Sequence, residues 1–178
     1  RGGDEVLNQF EVGFKDARDG QDMDTKLKEK PTTITEQELE ESYKKYRSVM
    51  GTAGRNMALA REPLGEIFFT GMAKAAEAVG CGNEIEDTIR DKFVKIPSWP
   101  LYYSLTQNDV KLGFDLTMKK SESYLIDARK ALEQLPNNFS HREFLEFLFL
   151  TVEHYSEFWF KKLQKENIWS ELTSNLPK

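Results

Sequence analysis

Apolar side chains recur along this chain at steps of three and four, the repeat of an α-helix with one buried face. The first long row runs Leu39, Tyr43, Tyr46, Met50, Met57, Leu64, Phe68, Ala75, Val79. It opens on Thr35-Glu36-Gln37-Glu38, where Thr35 can cap an orphan amide and Glu38 can reach back, with Ile34 and Leu39 as the flanking staple. Pro63 has no N–H to donate, so the row predicts one kinked rod or two nearly collinear helices. Gly80-Cys81-Gly82 is expected to end it, because glycine accepts the left-handed C-cap. Asn83-Glu84-Ile85-Glu86 then predicts a new start, with Ile85, Ile89, Phe93 and Ile96 on its inner face.

Pro97-Ser98-Trp99-Pro100 is a hard break. Beyond it, Pro100 or Thr106 can start the next helix, and the row Val110, Phe114, Met118, Leu125, Ala128, Leu132, Leu135 carries it to Pro136. Ser140 and Glu143 form a second capping box, stapled by Phe139 and Phe144, for a helix reaching about Gln164. A short tail holds Ile168, Trp169, Leu172 and Leu176. No window alternates cleanly enough for a strand, and no fixed-period repeat stands out. The prediction is an all-α protein: an antiparallel, up-down bundle of four to five helices over residues 35–178. Residues 1–34 are polar and mixed in charge, and read as an extended N-terminal arm; Val6, Phe10 and Phe14 sit four apart and offer a short turn or anchoring contact.

Composition narrows the function classes without choosing one. At 178 residues the chain can bury a substantial core as one domain. A formal net charge of -5 argues against nucleic acid or anionic lipid, whose phosphates need a basic surface. Cys81 is alone, so no internal disulfide can form. No stretch approaches the ~20 apolar residues of a membrane span. The chain starts at Arg1, as expected of a trimmed chain or of a mature form whose targeting segment is gone.

Catalytic and metal chemistry finds little purchase. His141 and His154 are thirteen apart, not the four of a zinc helix, and neither follows a Glu by three as in di-iron bundles. Asp16, Asp19, Asp22 and Asp24 lack the alternation, Gly and distal Glu of a calcium loop. No catalytic, cofactor or metal residue is therefore assigned.

What stands out is surplus apolar surface. The last long helix carries Phe144, Leu145, Phe147, Leu148, Phe149, Leu150, Val152, Tyr155, Phe158, Trp159, Phe160 and Leu163, too many for one stripe. Such a helix is either the centre of the bundle or covered by a partner. Phe149, Trp159 and Phe160 are the candidate contacts for a protein partner. Trp99, locked between two prolines and followed by Tyr102 and Tyr103, is either a packed connection or a presented contact surface, with Trp99 and Tyr102 as its candidates.

Trp99-Pro100, Gln107-Asn108-Asp109-Val110-Lys111-Leu112, and Tyr124 and Leu125 further on resemble the second-helix region of the PsbQ family, extrinsic proteins of the oxygen-evolving photosystem. The resemblance implies an up-down four-helix bundle with an N-terminal arm, in the thylakoid lumen. It implies a non-catalytic accessory subunit docked on the protein subunits of a photosynthetic membrane complex, with no active site to transfer. Two other readings stay open: a carrier of an apolar ligand or pigment lined by Phe144, Phe147, Tyr155 and Phe158, and an enzyme using carboxylates and His154. Outside the family resemblance, a cytoplasmic location is the expectation.

Overall fold

The computed structural model describes residues 3–58, 62–93 and 97–177. Among these residues there are seven helices and no strand: α1 (Gly3–Leu27), α2 (Glu36–Met57), α3 (Leu64–Asp91), α4 (Trp99–Gln107), α5 (Val110–Glu133), α6 (Arg142–Glu166) and α7 (Trp169–Ser174). The all-α antiparallel bundle is as expected; the helix count exceeds four to five. Ile96, expected on the inner face after Phe93, lies outside the described residues.

Three starts follow local chemistry. Thr35 and Glu38 form the reciprocal capping box of α2. Ser98 caps α4 by accepting from the Leu101 amide, with Pro100 inside the first turn, where its missing N–H costs nothing. Asp109 caps α5 by accepting from the Leu112 amide at 3.0 Å. The box expected at Ser140 and Glu143 does not form: α6 starts at Arg142, with His141 as N-cap and no side-chain cap bond. Arg142 fixes that corner instead. Its guanidinium donates to the carbonyls of Leu132 (3.3 Å) and Leu135 (2.7 Å) at the end of α5.

The extended arm is corrected to a helix. α1 packs on α2, burying Gly13, Gly20 and Leu27, seven apart along one face. A Cβ at residue 20 would sit 2.5 Å from the Tyr46 backbone nitrogen, so only glycine allows this approach. The Ser42 hydroxyl uses the closeness to donate to the Gly20 carbonyl at 3.1 Å. Gly20→Val is expected to prise α1 from α2, raising amide exchange in residues 3–27 by about tenfold or more. Gly3→Ala, which meets nothing within 4 Å, leaves exchange unchanged. Equal protection in both variants would contradict the docking of α1.

The helix end expected at Gly80–Gly82 is also corrected, since α3 runs unbroken to Asp91. These glycines serve packing. A Cβ at residue 80 would meet the Tyr43 hydroxyl at 2.3 Å, and one at residue 82 would meet the Ser156 hydroxyl at 2.8 Å. α3 is the hub, packed by α2, α5 and α6 and touched by α4. Its buried Ala75, Ala78 and Cys81 join Leu39, Tyr43, Leu125, Leu132, Leu145 and Phe149 in the main core. A second cluster, Ile85, Phe93, Leu101, Val110, Phe114, Leu163 and Leu172, closes one end, capped by α7.

Candidate functional site

α6 is not the centre of the bundle. It rests on α3 and, over less surface, on α5, using Leu145, Phe149, Val152, Ser156 and Leu163. Its other side carries Phe144, Phe147, Leu150 and Phe158, which are 61%, 66%, 46% and 59% exposed. At 1.5 Å per residue, the row from Phe144 to Phe158 is roughly 21 Å long. His154 is exposed on this same side.

Charge frames the row. Arg129 of α5 pairs with Glu153 at 3.1 Å and lies 3.7 Å from Glu146. Lys161 pairs with Glu157 at 2.6 Å, holding that carboxyl below the usual range. Toward α3, the Tyr155 hydroxyl lies 2.7 Å from both Asn83 Oδ1 and Glu86 Oε2, and its single proton serves one at a time. Burial first, and the Glu86 carboxylate second, push the Tyr155 phenol up to about 12, so it remains a donor at any ordinary pH.

At the start of α6 the row runs into an apolar cleft of about 360 Å³. Met57, Leu64, Phe68, Phe139, Phe144 and Leu145 are among its lining, with His141 at the start of α6. Met57 is 64% exposed and extends the patch across to α2. A second apolar patch lies on α1, where Phe10 and Phe14 stack at 6.2 Å beside exposed Leu7.

The structure redistributes the residues singled out from sequence. Phe149 and Trp99 are interior and present nothing to a partner. Trp99 is the hub of an aromatic corner: Tyr43 and Tyr102 meet it edge-on at 6.0 Å, Tyr103 stacks at 5.5 Å, and the Lys120 ammonium lies 4.4 Å over the ring. Of the two openings left for that segment, the packed connection is the one observed. Tyr102 is half-buried at its rim. Trp159 and Phe160 are half-buried against the end cluster, Trp159 with Lys162 4.6 Å above its ring. The cavity expected between Phe144, Phe147, Tyr155 and Phe158 is not formed, because three of these rings point outward and Tyr155 turns to α3. Among the described residues, no group of three or more His, Cys, Asp or Glu side chains is placed to hold a metal, and no helix is long and apolar enough to cross a membrane.

The outward row was hidden by its own hydrophobicity. The inner face includes Ser156, whereas the outer face carries three phenylalanines. The usable signal lay on α3, where Gly82 makes room for Ser156 and Tyr155 and so marks the side of α6 that packs.

Compared with known proteins, the chain matches no family model, no curated protein and no solved structure.

Proposed function

We propose that this protein is a non-catalytic accessory subunit that docks on a larger protein complex through the outer face of α6. The observation that carries the reading is the row Phe144, Phe147, Leu150 and Phe158, lying on a peripheral helix and not in the core. Large apolar side chains gathered on one exposed face lose free energy to water, and covering them with a partner recovers roughly 25 cal/mol per Å² of area buried. Phenylalanine-rich centres ringed by ion pairs match the anatomy of protein interfaces. The sharpest form of this reading is a PsbQ-like extrinsic subunit in the thylakoid lumen, supported by the Trp99-Pro100 and Gln107–Leu112 resemblance.

Photosynthetic membranes stripped of extrinsic subunits are the direct assay. The protein is expected to rebind them, and the double variant Phe147→Asp, Phe158→Asp to bind about a hundredfold more weakly, as loss of central interface anchors dictates. Rebinding of the variant at full strength would overturn the α6 assignment. Absence of binding by the unaltered protein would remove the photosynthetic form of the proposal.

The cleft at Met57, Phe68 and Phe139 favours a second reading, a carrier of an apolar ligand. Its walls are almost wholly hydrocarbon and aromatic. A hydrophobic fluorescent probe whose binding is lost in Phe68→Trp, but kept in Phe158→Asp, would support the carrier over the docking subunit.

A further inference from the structure

A second cavity, of about 250 Å³, lies where α1, α2 and α3 meet the Pro97 turn. Unlike the cleft beside α6, it is polar. Gln21 and Asp24 reach it from α1, Tyr43, Tyr46 and Arg47 from α2, and Asn83, Glu84 and Asp87 from α3.

Two of its ionisable groups, Arg47 and Glu84, have no salt-bridge partner among the described residues. The Arg47 guanidinium lies over the rings of Tyr43 and Tyr46, at 4.9 and 4.8 Å, and forms no ion pair among the described residues. Its Nε is buried and has no hydrogen-bond acceptor. The niche holding it is built into the fold: a Cβ at Gly80 would come within 2.5 Å of Arg47 Nη2. Glu84, in the same lining, accepts one hydrogen bond, from the Trp99 amide to Oε2 at 3.0 Å, and pairs with no cation within ion-pair distance among the described residues. The remaining carboxylates are already neutralised, Asp24 by Lys28 at 3.0 Å and Asp87 by Arg90. The lining thus offers one cation and one carboxyl group that are not in ion-pair contact with each other.

Buried charges persist when something pairs them. A lone anion would satisfy Arg47 and leave Glu84; a lone cation would do the reverse. We propose that this cavity binds a small zwitterion, an amino acid or ω-amino acid, with its carboxylate on the Arg47 guanidinium and its ammonium on the Glu84 carboxylate. The guanidinium fork suits the planar carboxylate. This site lies on the α1–α2–α3 side of the bundle and does not depend on the α6 docking surface.

Proton linkage gives the site a second readout. Burial raises the Glu84 carboxyl to about 8, against the opposing pull of the Trp99 amide and Arg47 and with Asp24 and Asp87 adding to it. Tyr43 and Cys81, also facing Glu84, are pushed up by burial and stay neutral. An arriving ammonium therefore displaces the Glu84 proton, and binding strengthens from about pH 6 to pH 8.

Calorimetric titration with glycine, β-alanine, 4-aminobutyrate and 5-aminovalerate tests the proposal, with butylamine and butyrate as single-charge controls. One length in the series is expected to bind with a dissociation constant in the millimolar range or tighter, about 1 mM or below. Arg47→Gln and Glu84→Gln are each expected to weaken it about thirtyfold or more. Glu84→Gln is also expected to fold at least as well as the unaltered protein, so its loss of binding is not loss of structure. Binding of butylamine or butyrate as tight as the best zwitterion would overturn the proposal, as would no binding by any of the four amino acids, which would mark a solvent-filled cavity.

Discussion

Phe149→Ala is expected to lower the unfolding free energy by about 3–5 kcal/mol, while Phe147→Ala, two residues away, shifts it by no more than about 0.5 kcal/mol. The two rings are chemically identical and sit on one helix. Phe149 is 1% exposed and packed in the main core with Leu145 and Val152. Truncating it removes the ring's burial and leaves a cavity that the surrounding helices close only in part. Phe147 sits two-thirds in water, so truncating it takes little from the folded state. Urea denaturation followed by tryptophan emission checks both. The midpoint should fall for Phe149→Ala at unchanged slope, and stay put for Phe147→Ala. Losses of similar size in the two variants would mean that both sides of α6 are covered within the chain.

Glu84→Gln is expected to stabilise the protein at alkaline pH and to flatten its stability profile. Burial raises the folded-state pKa of Glu84 to about 8, from an ordinary 4.5. Between those values the folded protein keeps the proton that the unfolded chain gives up. Stability therefore falls as pH rises through this window: the contribution is whole below about 4.5 and gone above about 8. At about 1.36 kcal/mol per pH unit across the window, the loss is roughly 5 kcal/mol, an upper value because the cavity beside Glu84 admits solvent. Glutamine keeps the carbonyl that accepts from the Trp99 amide and cannot ionise. The variant should match the unaltered protein near pH 5 and exceed it by up to roughly 5 kcal/mol near pH 9. Glu77, raised by burial against the pull of Lys74, leaves a smaller slope of the same sign in the variant. An unchanged slope in Glu84→Gln would show that Glu84 is solvated.

The parts of this fold that were legible in sequence are those set by neighbours in the chain. The Thr35–Glu38 box places the start of α2, the break at Pro97–Pro100 falls where α4 begins, and the 3.6-residue rows cover α5 and α6, while the one helix expected from Pro100 or Thr106 to Pro136 is divided at Asn108 and Asp109 into α4 and α5. The parts that were not legible are set across helices. α1 looks like a polar arm because it docks through Gly13 and Gly20, which add contact and no hydrophobic signal. Gly80 and Gly82 look like a helix end, yet they sit mid-helix so that Tyr43, Arg47 and Ser156 can press against the α3 backbone. Ser140 looks like a cap, but Arg142 holds the corner through the carbonyls of α5. The two sides of α6 are another such case: in the sequence Phe149 and its outward neighbours Phe147 and Leu150 have equal claims to the core, and only the packing of α6 on α3 separates them. The polar cavity had no local trace at all, since Arg47 and Glu84 meet only through tertiary packing.

Docking through α6 is tested most directly by a photo-reactive amino acid placed at Phe147, with the exposed Ile126 of α5 as control, in the native extract. One discrete cross-linked adduct is expected from position 147, mapped to a single partner subunit, and none from position 126. Equal or absent cross-linking at the two positions would contradict docking through this face.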